Sequence, residues 1–267
     1  MRGPPHRDVD SRRGGRRQHD AGQPPPGDVQ VGPWGGGDCV GPGFNVTSCV
    51  VLKLLEESAA GPVEYPMFSR GIALRLKDFA VDLNLLANYL KALEEELQRL
   101  YPLVLRITIV TESPLAVHLR NPYMPLEIGL AWHPVFNAPY IPATALKGAL
   151  RAGWPSSICG MSPAELFGFE KQEGALVVTD AFPTTARSLE PDVLTPHYKE
   201  PNVREDRVKP TPLVFPVVKP GSTFDFFVAS RRLEKGCMAE LIKAVNNALS
   251  IGLGAKTSVG YGVVRLK

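Results

Sequence analysis

Apolar residues recur at intervals of four and three through residues 72–100, where Phe79, Leu83, Leu86, Leu90, Leu93, Leu97 and Leu100 make one stripe. Glu94, Glu95, Glu96 and Arg99 lie on the polar side. That period predicts a helix with one apolar face, turned to the core or to a neighbouring subunit, with core the simpler use. Tyr101-Pro102 stops it, and the period drops to two: Leu103, Leu105, Ile107 and Ile109 mark a strand over 103–110. Residues 113–142 are punctuated by Asn121-Pro122, Met124-Pro125, His133-Pro134 and Ala138-Pro139 and read as loop with short extended pieces. Thr144 then suits the N-cap of a short helix through Arg151, which places Lys147 and Arg151 on one face. Strands follow at 175–179, 213–218 and 222–229. A second helix over 234–250 is expected to bury Met238, Leu241, Ile242, Val245 and Leu249, and a last strand spans 261–266.

From residue 103 the order is strand, helix, strands, helix, strand. It predicts an α+β, ferredoxin-like (RRM-like) sheet with insertions, both helices on one face and the other face free for a ligand. Residues 44–102, with a further apolar run at 50–55, form a helical extension to that 103–267 core, so 44–267 reads as a single domain. The polar span 184–212 is long for a compact domain, which favours a functional loop. Residues 1–43 are rich in Gly, Pro, Arg and Asp, too poor in apolar surface to order alone. Disordered or loosely docked, it fits either an arginine-rich RNA-binding tail or a solvated tail or overlong start of translation.

Net charge is only +3 over 267 residues, so whole-chain basicity is no argument for nucleic acid and local charge must carry it. The four cysteines, Cys39, Cys49, Cys159 and Cys237, are scattered without a C-x-x-C pair, which predicts neither a disulfide framework nor a zinc site. No apolar run approaches the roughly 18 residues of a membrane helix, and no signal-peptide pattern opens the chain. A soluble, cytoplasmic protein is expected.

The chemistry concentrates in the glycine-rich stretch 252–262. Its glycines permit positive φ angles, and Lys256, Thr257 and Ser258 put a cation and two hydroxyls at its centre, a composition suited to phosphate. Gly254-Ala255-Lys256-Thr257 is not a nucleotide P-loop, because Ala255 separates glycine from lysine and no helix follows. The same glycines also fit a turn needed only for tight helix-to-strand packing. Lys147 and Arg151 are either a solvated face or, with the start of their helix, part of an anion groove beside that loop. His197 is the histidine in the most exposed polar context, yet a lone histidine is not a nuclease site. His118 and His133 look structural, and Asp180 reads as a turn cap rather than a metal ligand.

Four segments together resemble the RAMP (repeat-associated mysterious protein) subunits of CRISPR–Cas effectors. They are Pro139-Tyr-Ile-Pro-Ala-Thr-Ala-Leu-Lys-Gly-Ala-Leu-Arg151, Val178-Thr-Asp-Ala-Phe-Pro183, Thr195-Pro-His-Tyr198 and the glycine loop. The Asp-Ala-Phe-Pro and Pro-His-Tyr pair is most similar to the sixth, tail-subunit family of type III-B Cmr complexes. One departure is Ala143-Thr144-Ala145, where that family usually carries Gly-Ser-Ser or similar. The resemblance implies a non-catalytic guide-RNA-binding subunit, not an enzyme, at the tail of an antiviral ribonucleoprotein, on the 3′ side of the guide. It implies the guide (crRNA), the backbone RAMP, the small helical subunit and a second tail RAMP as partners, with no cofactor, metal or membrane. Lys147, Arg151, Gly252, Gly254, Lys256, Thr257 and Ser258 would then line the RNA path, and His197, Tyr198 and Lys199 would sit on a thumb-like element. The alternative is a metal-independent endoribonuclease that processes CRISPR precursor RNA with His197 as base.

Overall fold

A computed structural model describes residues 39–41, 43–195 and 212–267, all of them in one unit, Asp38–Lys267. Most of the N-terminal tail and the His197-Tyr198-Lys199 segment lie outside the described residues.

Three helices come first: α1 (Val46–Ala60), α2 (Tyr65–Leu76) and α3 (Leu83–Leu100). The single helix expected over 72–100 is therefore two. Asp82 divides it, because its carboxylate accepts the amides of Asn84 and Leu85, both at 3.0 Å, and so starts a new helix. Phe79 falls in the connector yet stays buried, its ring 4.9 Å from that of Trp132. Leu86, Leu90 and Leu97 are buried as the period requires, whereas Leu100 at the helix end is exposed.

Next come β1 (Leu103–Thr111), the hairpin β2 (Trp132–His133) and β3 (Ala138–Pro139), α4 (Ala143–Gly153) and the short α5 (Pro163–Phe167). A second hairpin, β4 (Gly168–Phe169) and β5 (Gln172–Glu173), leads to β6 (Leu176–Val178), β7 (Phe182–Pro183) and β8 (Leu189–Leu194). The described chain resumes with β9 (Leu213–Val218), β10 (Thr223–Ser230), α6 (Met238–Leu249) and β11 (Val264–Leu266). The architecture is α+β. Its main sheet is ordered β11-β1-β10-β6, with β7 also on β10, and every pairing is antiparallel.

The strand at 213–218 is real but does not join this sheet. Both edges of β10 are already taken, by β1 on one side and by β6 and β7 on the other. β9 instead pairs with β8 from Leu189↔Val218 to Leu194↔Leu213, and this hairpin packs on α2. Part of the presumed loop 184–212 is therefore a strand.

The sheet face expected to be free is covered. Leu103, Leu105, Ile107 and Ile109 are buried on one side of β1, so Arg106 and Thr108 point to the other. There Arg106 donates to Asp225 on β10 at 2.7 and 2.9 Å and to Glu94 of α3 at 3.2 Å, while Thr108 donates to Asp225 at 2.7 Å. Phe182, opposite Asp225, meets Tyr89 of α3 with ring centres 5.5 Å apart. The amphipathic helix had to bury its stripe, and it does so on the face an RNA-recognition sheet would leave open.

α6 is rotated from expectation. Leu241, Ala244, Val245, Ala248 and Leu249 are buried, but Met238 and Ile242 are 37% and 41% exposed. The cause is a close crossing with α4: a Cβ added at Gly153 would lie 2.8 Å from the Ala248 Cα, so the alanine face turns inward and the larger residues stay on the shoulder. The cysteines also depart from expectation. Cys39–Cys49 and Cys159–Cys237 are disulfides, with Cα–Cα distances of 5.5 and 6.1 Å. Separations of 10 and 78 residues carry no spacing signal, and only the fold brings the partners together. Among the described residues no helix is long and apolar enough to cross a membrane.

Candidate nucleic-acid interface

The glycine loop divides into an anchored part and an exposed part. Gly252, Gly254, Gly260 and Gly262 all have positive φ, and so does Lys256 at 63°. Leu253 donates to the Gly262 carbonyl at 2.9 Å, Ala255 to Ala116 at 2.7 Å and Gly262 to Pro114 at 2.8 Å. Added side chains at Gly254 and Gly262 would strike the backbone of Ala116 and Leu253 respectively. Close packing therefore accounts for these two glycines. The exposed part is the 3-10 turn Thr257–Val259 and Gly260, and its amides at Val259 and Gly260 bond back into the loop. Those two amides are therefore not open to a phosphate, whereas Thr257 and Ser258 open the turn behind a left-handed Lys256.

Lys256 stands with its ammonium 5.9 Å from the Tyr261 ring centre. The Tyr261 hydroxyl donates to Asp192 on β8, and burial together with that carboxylate pushes its pKa up to about 12. The loop is thus tied both to residues 114–116 and to the β8–β9 hairpin. Nothing in the spacing of the sequence marked Tyr261 or Asp192.

α4 begins differently from expectation. Pro142 holds the cap position, Thr144 lies exposed within the first turn, and the Ala143 amide donates to Asp180 at 2.6 Å. Asp180 does act as a cap, but for a helix 37 residues away rather than for a local turn. Its carboxylate occupies the helix start that was expected to help bind an anion. The same charge adds to burial in raising the hydroxyl pKa values of Tyr89 and Tyr140. His133 packs among Phe136, Tyr140 and Phe182, and burial lowers its pKa, which fits its structural reading.

Two hollows flank this helix start. One, of about 450 Å³, is lined by Val117, His118, Tyr140 and Thr144. It adjoins the glycine loop through the Ala116–Ala255 bridge and the contact of Gly254 with Val117. His118, expected to be structural, is exposed here with φ 57°. The other hollow, of about 580 Å³, opens between α4 and the β4–β5 hairpin and takes in Lys147 and Arg151. Lys147 is half-buried and donates to the Leu176 carbonyl at 3.0 Å, and Arg151 is exposed. Thr144 borders both hollows. The expected single groove is therefore two adjoining depressions, one next to the loop and one holding the helix cations. Among the described residues no group of three or more His, Cys, Asp or Glu is placed to hold a metal.

Three comparisons bear on this surface. A family model described as the RAMP superfamily matches residues 108–265, from within β1 through both hollows and the glycine loop to β11. The CRISPR system CMR subunit Cmr6 of Saccharolobus solfataricus is 31% identical over 222 residues, 81% of this chain and 77% of that one. A chain in the cryo-EM structure of the type III-B Cmr-beta bound to cognate target RNA overlays with a TM-score of 0.65 at 28% identity, covering 81% of this chain and 75% of its own.

Proposed function

This chain belongs to the RAMP superfamily and is a type III-B Cmr-type subunit of it, and from that membership we propose that it binds the guide RNA without cutting it. In this reading it sits at the tail of an antiviral CRISPR ribonucleoprotein, on the 3′ side of the guide, in the cytoplasm. Its protein neighbours would be the backbone RAMP, the small helical subunit and a second tail RAMP. The order β11-β1-β10-β6, with α4 and α6 as the crossovers, supports a ferredoxin-like core over 103–267, to which α1–α3 add a helical extension.

The observation that carries the proposal is the Ala116–Ala255 bridge. It locks the glycine loop beside the hollow at the start of α4, so the loop that carries Lys256, Thr257 and Ser258 lies at one end of a surface whose far end holds Lys147 and Arg151. A flexible polyanion laid across both depressions would meet cations at either end and the Thr144 hydroxyl between them. Because α3 closes the sheet face, RNA would run along this rim rather than across the strands.

The test is a salt titration of guide-RNA binding. Lys256→Ala and Lys147→Ala should each weaken binding on any sequence and each lower the slope of log affinity against log salt by about 0.7, as expected for one lost phosphate contact on a single strand. Slopes equal to wild type for both variants would reject this RNA path. Incubation of the protein with labelled precursor RNA in the absence of metal checks the non-catalytic part. Intact RNA is expected, and specific cleavage abolished by His197→Ala would replace the proposal with a processing nuclease.

A further inference from the structure

We infer that the hollow between α4 and the β4–β5 hairpin is a pocket for one everted RNA base, with guanine the best fit. The inference rests on the RNA-binding reading above and adds a base to what would otherwise be a backbone track. Its volume of about 580 Å³ accommodates a nucleobase with its sugar, and its rim combines three chemistries. Phe169 is 58% exposed on the hairpin and lines the hollow, an aromatic face held out in water. Lys147 and Arg151 supply cations on the opposite wall. Glu170, Gln172 and Glu173 supply acceptors along the hairpin.

Phosphate alone does not explain this lining, since two carboxylates facing a phosphate repel it. A base resolves the conflict. Its ring stacks on Phe169, its flanking phosphate meets Arg151 and Lys147, and its polar edge faces the carboxylates. Guanine presents two adjacent donors, N1–H and the 2-amino group, which one carboxylate can accept together. Cytosine and adenine offer only an amino group, and uracil only one ring N–H.

The wall that carries Phe169 is built rather than loose. Its hairpin leaves α5 through Gly168 at φ 92°, and a Cβ added at Gly174 would lie 2.6 Å from the Leu166 carbonyl oxygen. Ala175 donates to the Glu165 carbonyl at 2.8 Å, and a reciprocal capping box between Ser162 and Glu165 fixes the start of α5. An exposed aromatic on so constrained a turn leaves little backbone to be ordered when a base stacks on it.

The experiment compares full-length protein binding to a uridine 12-mer and to the same oligomer with one central guanosine, by fluorescence anisotropy. One guanosine should tighten binding roughly ten-fold, the scale of a single stacked base. Phe169→Ala should abolish that gain, Phe169→Trp should restore it, and Glu173→Gln should reduce it. Thermal melts of the variants confirm that the fold is kept. If the uridine oligomer binds but guanosine adds nothing, or Phe169→Ala retains the gain, the base pocket is wrong and the RNA-binding reading stands. If neither oligomer binds, it is the RNA-binding reading that fails. Guanosine-dependent binding unaffected by Phe169 and Glu173 but lost with Lys256→Ala would move the base to the loop and overturn this assignment.

Discussion

The Asp180 carboxylate accepts the first amide of α4 from Ala143 at 2.6 Å, so a residue at the end of β6 caps a helix that precedes it by a long excursion. This bond joins two of the segments that mark the family, and it sets where Thr144 and Lys147 face. Asp180→Ala should destabilise the protein by about 1 kcal/mol, the usual loss of an N-cap, while Asp180→Asn keeps most of the bond. Urea denaturation of both variants measures the difference. Equal loss in the two would show that charge at the helix start, not the bond, is what matters.

Arg106 and Asp225 make an asymmetric pair. The Asp225 side chain is 7% exposed and that of Arg106 is 40% exposed. Removing the arginine strands a carboxylate inside the sheet with Thr108 as its remaining partner, whereas removing the aspartate leaves a cation that reaches water and Glu94. Arg106→Ala should therefore destabilise by about 3 kcal/mol and Asp225→Ala by less. The reverse order in chemical denaturation would mean that α3 does not close this face.

Tyr261 gives a pH-dependent signature. Its folded pKa is raised from 10.0 to about 12, by burial first and then by the bond to Asp192. The folded state holds this proton more tightly than the unfolded one, so the stabilisation is intact below pH 10 and is lost as pH rises towards 12. Wild type should lose melting temperature faster than Tyr261→Phe across that window. Parallel curves would place the hydroxyl in solvent, away from Asp192.

The two disulfides predict unequal effects. Cys159–Cys237 closes a span of 78 residues and Cys39–Cys49 one of 10. On loop-closure entropy the first is worth up to about 4.5 kcal/mol and the second about 2.7 kcal/mol. Cys237→Ser should lower the denaturation midpoint more than Cys49→Ser. Thiol titration of the unfolded, unreduced protein should find none of the four cysteines free, and four free thiols would remove both bridges.

Much of this molecule was legible in its residues because local physics marked it. The leucine stripe of α3 and the alternation of β1 needed only periodicity, and the run of glycines through 252–262 marked a loop of positive φ angles. The motif around Lys147 and the loop around Lys256 were both visible as chemistry. Asp82 is a local cap hidden within one apolar stripe; the other misreadings depend on partners distant in sequence. β9 looks like any sheet strand until β10 is found with both edges filled. Met238 and Ile242 fit a helical stripe until the α4 crossing favours alanines. His118 sits among apolar residues in sequence but at the mouth of a hollow in space.

By itself, then, the sequence determined the main helices and strands of the core, their order and the family, because hydrogen-bond period, turn chemistry and motif spacing are local properties of the chain. Tertiary structure alone decided that α3 closes the sheet face, that Asp180 accepts the first amide of α4, and that Phe169 shares a hollow with the helix cations. Those outcomes turn on which surfaces compete for the same burial or the same amide, and that competition is settled only when the whole chain has packed.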